Sequence, residues 1–131
     1  MNRVSHPLIS DYAARHGISS TGRADGRLTI IVDDKYRIHL QPAPDGGVIL
    51  LCRLCDLPAP GIARDEWLRE VGKIAVGVLS KQAAACVVDP RDHALWLQQV
   101  HAAAATPSLD EVIGSFANAL SFWKGALRQW A

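Results

Sequence analysis

The sequence lacks an excess of charge of either sign. Lys and Arg together number 14 and Asp and Glu number 13, which gives a formal net charge of +1. Binding to a phosphate backbone needs a basic excess or a basic stripe, so a nucleic-acid partner is not expected. Hydrophobic residues make up 49% of the chain, unlike the low-hydrophobicity, high-charge composition of disordered proteins. Residues 1–131 are therefore predicted to form one folded domain.

Long hydrophobic runs and paired cysteines are missing as well. The longest apolar stretches, Val48 to Leu54 and Ala83 to Val88, are far shorter than the roughly 20 residues that a membrane-spanning helix needs. The N-terminal segment reaches polar residues and Pro7 before any hydrophobic run, which does not fit a signal peptide. The 3 cysteines are an odd number, which does not suit a disulfide framework. We expect no membrane contact, a cytoplasmic location and reduced thiols.

Motifs for catalysis or for cofactor binding are scarce. Cys52 and Cys55 have the spacing of half a zinc site, but no second close pair follows, and in a regular strand the two thiols would lie on opposite faces. Gly46 and Gly47 precede a strand, so they do not form a phosphate-binding loop before a helix. We expect no cofactor, no metal and no enzymatic activity. An enzyme with a site built from dispersed residues remains an alternative, with candidates His39, Arg53 and His93.

Hydrophobic periodicity predicts an α+β fold with an antiparallel sheet. Three segments have apolar residues three and four positions apart, as in helices, and five shorter segments alternate, as in strands. Gly17 is expected to end the first helix, and either Ser108 or Thr106-Pro107 to begin the last one. The predicted order is helix, three strands, helix, two strands, helix, over Pro7–His16, Leu28–Val32, Tyr36–Gln41, Val48–Cys55, Arg64–Lys81, Ala83–Val88, His93–Val100 and Leu109–Trp130.

Two of these elements have more apolar surface than one small core readily covers. The strand Val48–Cys55 is apolar on both faces, with only Arg53 interrupting it. The middle helix has a wide apolar stripe that includes Trp67, and Gly72 and Gly77 within it indicate close approach by another backbone. Self-association is the simplest way to bury this excess apolar surface, since a two-fold dimer would pack the middle helix against its own copy.

Trp96 and the first helix contain candidates for partner binding. Trp96 alternates with leucines on a strand whose two faces are both apolar, so that one face is available to a partner. The apolar stripe of the first helix, with Leu8, Ile9 and Tyr12, is expected mainly to pack on the sheet, and exposure of part of it for binding is the second possibility.

The succession of elements resembles the class I chaperones of bacterial type III secretion systems, the Tir-chaperone-like family. The resemblance covers nearly the whole chain. It rests on loose motifs, namely Arg15–Ile18, Leu28–Asp33, Val48–Leu54 running into Asp56–Pro58, Trp67–Leu79, Ala85–Leu97 and Leu109–Trp130. It implies a small cytoplasmic homodimer that binds the N-terminal region of a secreted effector and keeps it soluble, partly unfolded and competent for secretion, without ATP or metal.

The same resemblance implies where two contact surfaces lie. The dimer contact maps onto the middle helix and the fourth strand, at Trp67, Val71, Ile74, Val78, Cys86 and Val88. The effector surface maps onto the first helix and the sheet, at Leu8, Ile9, Tyr12, Ile31, Leu51 and Trp96. Chaperones of this family are usually acidic, whereas the pI here is about 7.8, which points to a less basic cargo. A regulator or adaptor of the same fold, binding a folded partner, is the alternative function.

Overall fold

Three helices and one five-stranded sheet form the protein in a computed structural model that describes residues 7–18, 27–102 and 108–128. The predicted class, α+β with an antiparallel sheet, is confirmed, and so is the order of the elements. The proposed start of the last helix at Thr106-Pro107 and its end at Trp130 lie outside the described residues. The elements are α1 (Pro7–Arg15), β1 (Leu28–Val32), β2 (Tyr36–Pro42), β3 (Val48–Asp56), α2 (Ile62–Val78), β4 (Ala85–Asp89), β5 (Ala94–His101) and α3 (Leu109–Arg128).

The sheet has the strand order β1-β2-β3-β5-β4, and every neighbouring pair is antiparallel. The central strand β3 pairs with β5 along its whole length, from Val48 to Asp56. Its pairing with β2 is shorter and stops at the His39–Leu51 pair. Beyond that pair the first half of β2 and the second half of β3 separate, while β1 and β4 form the two edges of the sheet.

The core lies between one face of the sheet and the helices α1 and α3. Trp123, Phe116 and Leu120 of α3 are almost fully buried, and they belong to one cluster with the inward residues of the strands. The register keeps these inward residues together, since Leu40 pairs with Leu50 and Cys52 with Leu97. Alternation along each strand sends every second side chain to the opposite face, which is more exposed.

Cys55 lies on the helix-covered face with Cys52, so the expectation of opposite faces is wrong. The cause is a β-bulge in β3 between Arg53 and Cys55. Cys52 pairs with Leu97 and Cys55 with Leu95, two positions on the same side of β5. A bulge adds one residue to one strand, which reverses the facing of every residue after it.

The bounds of α2 differ from the prediction at both ends. The helix runs over Ile62–Val78 instead of Arg64–Lys81. After Val78 the chain continues as a turn with i→i−3 bonds, since the Leu79 N–H donates to the Val76 carbonyl at 3.3 Å and the Lys81 N–H to the Val78 carbonyl at 2.9 Å.

The hairpin formed by β4 and β5 is also shifted from its predicted position. β4 begins at Ala85 instead of Ala83, and β5 begins at Ala94 instead of His93. His93 belongs to the turn, with φ of 51°, a left-handed conformation that a strand residue does not adopt. Asp89 shapes this turn, because its side chain accepts a hydrogen bond from the Arg91 N–H at 2.9 Å.

Candidate protein-binding surfaces

Apolar side chains lie on the face of the sheet opposite α1 and α3, which we call the open face. It contains three of the six residues predicted for the effector surface, Ile31, Leu51 and Trp96. Ile31 is 57% exposed, and Leu51 and Trp96 are half-buried. Val100, which the sequence analysis missed, is 55% exposed on the same face. Alternation along β5 is the signal that could have identified it.

Polar contacts hold Trp96 in a fixed orientation on the open face. Its indole N–H donates to the Asp92 carboxylate at 3.2 Å, and the Arg53 Nε–H donates to the same oxygen at 2.8 Å. The hydrogen bond from Arg53 is the main cause that holds the pKa of Asp92 below its ordinary value. Arg53 also forms an ion pair with Asp56, and the His39 ring lies 5.9 Å from the Trp96 ring between centroids. Because the indole ring is already held in place, binding of a partner to it would cost little side-chain conformational entropy.

The α1 residues predicted for the effector surface lie on the other side of the sheet. Ile9 and Tyr12 are buried, at 6% and 8% exposure, and Leu8 is half-buried against the same core. Burial is the main cause that raises the pKa of Tyr12. The structure thus separates the six predicted residues into two groups, and among those of α1 only Leu8 has appreciable surface.

The α2 residues predicted for the dimer contact form its inner stripe. Val71 is buried at 4% exposure, and Trp67, Ile74 and Val78 are half-buried against the core. A second set of apolar side chains lies on the solvent side. We call this set the outer row; it consists of Ile62 and Val76 of α2 and Leu79, the residue that follows the helix, which are 77%, 73% and 73% exposed.

The two glycines of α2 have no close neighbour within the described residues. A Cβ added at Gly72 or at Gly77 would meet nothing within 4 Å. The close approach by another backbone that the sequence predicts is therefore not made by the described part of this chain. The exposed side of α2 therefore has the outer row and the two glycines without side-chain cover, together with charged side chains such as Arg69 and Lys73.

The edge strand β4 contributes the remaining residues predicted for the dimer contact. Val88 is 45% exposed and Cys86 is half-buried. Burial is the main cause that raises the pKa of Cys86 to about 12, and it also raises the pKa of Cys52 and Cys55. These thiols therefore stay protonated and are poor nucleophiles near neutral pH.

The residues considered for an enzymatic site have other contacts. His39 Nδ1 forms a hydrogen bond with the Thr29 hydroxyl at 2.8 Å, Arg53 binds two carboxylates, and His93 lies in the β4–β5 turn. Within residues 7–18, 27–102 and 108–128, no group of three or more His, Cys, Asp or Glu side chains could hold a metal ion. Among the helices described, none is both long and apolar enough to cross a membrane.

Comparison with known proteins shows which family has this arrangement of helices and strands. The family model described as "Tir chaperone protein (CesT) family" matches residues 7–124. The chain belongs to this family of chaperone proteins. No curated protein sequence matches the chain significantly.

Three solved structures with this fold contain a bound protein. The HopA1–SchA chaperone–effector complex has a chain with a TM-score of 0.69 and 12% identity, covering 90% of this chain and 91% of that one. The ExsC–ExsE complex has a chain with a TM-score of 0.61 and 15% sequence identity, and the match covers 91% of this chain and 90% of that one. The structure of the Yersinia pestis type III secretion chaperone SycH in complex with a stable fragment of YscM2 has a chain with a TM-score of 0.59 and 16% sequence identity. That match covers 90% of this chain and 98% of the other. At these identities the similarity establishes the fold.

Proposed function

We propose that the protein is a type III secretion chaperone. Its homodimer binds the N-terminal chaperone-binding region of a secreted effector and keeps that region soluble, partly unfolded and competent for secretion. The main support is the set of apolar side chains on the open face, Ile31, Leu51, Trp96 and Val100, present in a member of a chaperone family. A chaperone–effector complex and a type III secretion chaperone with a bound protein fragment also have this fold, which is consistent with the proposal.

An extended segment of the effector suits the geometry of the open face. β1 is an edge strand, so its free backbone groups can pair with an added strand, and Ile31 on that strand offers an apolar contact beside it. Leu51 and Trp96 lie further into the face and can accept alternate side chains of the segment. Backbone pairing gives affinity with little sequence demand, which suits a partner that is not folded.

We propose that the dimer forms through the outer row of α2 and the edge of β4. The exposed side chains of Ile62 and Val76 and the bare surface at Gly72 would meet the same residues of a second copy. Val88 on β4 would extend this contact. The half-buried residues Trp67, Ile74 and Val78 and the half-buried Cys86 would border it, while Val71 supports the helix from the core.

We further propose that residues 1–131 act as one domain in the cytoplasm of a Gram-negative bacterium with a type III secretion system. No enzymatic activity, cofactor or metal is part of this proposal. The membership in a chaperone family supports it.

The experiment that tests the function is capture of the binding partner by the tagged protein from the lysate of its native host. Limited proteolysis and hydrogen exchange of the complex then map the bound region of the partner. We expect one larger protein, protected over an N-terminal segment that exchanges rapidly when the partner is alone. A partner bound through a folded domain would support the regulator or adaptor instead, and recovery of the tagged protein alone would contradict a chaperone function.

A further inference from the structure

A recess of about 510 Å³ opens where β2 and β3 separate. Its walls come from both strands, with Arg37 and His39 on one side and Arg53 on the other. On the side of the recess toward α3, the hydroxyl groups of Tyr36 and Ser121 are hydrogen-bonded to each other at 2.7 Å. The sheet is interrupted here, so the recess reaches from the open face toward α3.

The side chains that line the recess are strongly biased in charge. Lys35, Arg37, Arg53 and Lys124 all line it, and no Asp or Glu does so among the described residues. This bias contrasts with the whole chain, in which the two signs nearly balance. The excess of positive charge is therefore local to the recess.

Three of the four cations have no carboxylate partner among the residues that the structure describes. Arg37 is exposed and forms no ion pair there. Lys124 donates to the backbone carbonyl of Leu54 at 3.1 Å, and the Lys35 ammonium lies 5.4 Å from the centre of the Tyr36 ring. Only Arg53 is neutralised, by Asp56 and Asp92, which lie outside the recess. The recess therefore has unpaired donors that favour an anion.

The recess is continuous with the open face, because Trp96 and His39 belong to both. A segment lying on the open face would pass its mouth. We propose that the recess binds an acidic side chain, Asp or Glu, of the extended partner segment that lies on the open face. This inference rests on the proposed function and specifies the chemistry of the cargo at one position. A carboxylate on an extended chain fits because it can enter the recess while the neighbouring apolar side chains contact Trp96.

The test is a selection of random linear peptides, displayed on phage, for binding to the full-length protein. Peptides whose binding is weakened by Trp96→Ala are those that occupy the open face. We expect these peptides to be enriched in Asp or Glu at a fixed spacing from an apolar residue. Synthetic versions should bind Arg37→Gln and Lys124→Gln about two- to fivefold more weakly at low salt, with a smaller difference at high salt.

Lys81→Gln is the matched control, because it removes one exposed positive charge outside the recess and should leave binding unchanged. Arg37→Glu should abolish the enrichment in acidic residues when the selection is repeated. Peptides that depend on Trp96 but show no acidic position, or that bind Arg37→Gln and Lys124→Gln as well as the parent, would overturn the acidic-residue inference and leave the proposed function intact. Failure to select any peptide would contradict both.

Discussion

Gly47 lies where the turn between β2 and β3 meets the end of β5. A Cβ at this position would clash with the carbonyl oxygen of His101. The obstructing atom belongs to the backbone, which cannot rotate away. The Asp45 carboxylate also accepts a hydrogen bond from the Gly47 N–H at 3.0 Å. Glycine is thus required here for the close approach of two chain segments.

We predict that Gly47→Ala lowers the free energy of unfolding by about 1–3 kcal/mol, because the turn or the end of β5 must shift. Urea denaturation followed by circular dichroism measures the change. Gly114→Ala is the control, since a Cβ at Gly114 in α3 meets nothing within 4 Å. It should raise the stability by up to about 1 kcal/mol through helix propensity. Equal effects of the two substitutions would contradict the packing argument.

Single positions show how far sequence patterns can predict structure. Gly17 was predicted to end the first helix, and it does so with φ of 65°, while the Ile18 N–H donates to the Ala13 carbonyl at 2.9 Å. The facing of Cys55 was predicted wrongly, because a bulge shifts alternation without leaving a compositional signal. Local chemistry is readable in the sequence, whereas an irregularity that depends on the neighbouring strand is not.

At the scale of elements, α1 is attached to α3 by charges as well as by the core. Arg15 lies 2.6 Å from the Asp110 carboxylate, and His16 Nε2 lies 2.8 Å from the same group. Asp110 is in the first turn of α3, where a negative charge also interacts favourably with the helix dipole. The hydrogen bond from Arg15 is the main cause that lowers the pKa of Asp110 to about 2, followed by the one from His16.

The low pKa of Asp110 predicts a pH-dependent contribution to stability. Its folded-state pKa is below the unfolded value of about 3.9, so the contribution is complete above about pH 4 and is lost between about pH 4 and pH 2. Asp110→Asn should therefore lower the free energy of unfolding by about 0.5 kcal/mol at neutral pH, a small value because the side chain is partly exposed.

Urea denaturation of Asp110→Asn and the parent protein across this pH range measures the effect. The difference in stability between them should shrink toward pH 2. Glu111→Gln is the control, because it removes a carboxylate from the same turn of α3 without removing the ion pairs to α1. A difference that stays constant down to pH 2 would show that Asp110 acts through packing alone.

The packing of the elements explains why the candidate site was only partly predictable. The periodicity of α1 identified its apolar side, but it could not show that α3 and the sheet bury Ile9 and Tyr12. The wide stripe of α2 indicated excess apolar surface, and the structure assigns part of it to the core and part, the outer row, to solvent. Which side of a helix meets a partner depends on its angle to the rest of the fold, and periodicity does not contain that angle.

At the scale of the whole molecule, the proposed dimer surface and partner surface are separate, so each can be altered alone. Val76→Asp places a charge in the outer row of α2, at a side chain that is 73% exposed in this chain and therefore not required by its core. We expect the dissociation constant of the dimer to rise by about a hundredfold or more, since a buried charge without a partner costs several kcal/mol. Light scattering across a dilution series measures the mass.

Ile31→Asp is the matched control for the dimer, because it introduces the same charge at an exposed isoleucine on the open face. It should leave the mass unchanged. A dimer that persists in Val76→Asp would place the contact on another surface.

Ile31→Asp should in turn weaken binding of the partner segment by about tenfold or more, the effect of losing one buried aliphatic side chain. Titration of the captured N-terminal fragment by calorimetry measures this loss. Phe122→Asp is the control, since Phe122 is 40% exposed on α3, on the other side of the sheet. Equal losses for the two variants would contradict binding on the open face.

Within α2 only Val71 is buried, and Trp67, Ile74 and Val78 are half-buried against the core, which has a thermodynamic consequence for the proposed dimer. These contacts hold the helix within one chain, and burial of the exposed outer row on association would add to them. Folding and assembly would then be linked by mass action. The midpoint of thermal unfolding should rise as the protein is concentrated, so the stability of the fold would depend on how much of the chain the cell contains.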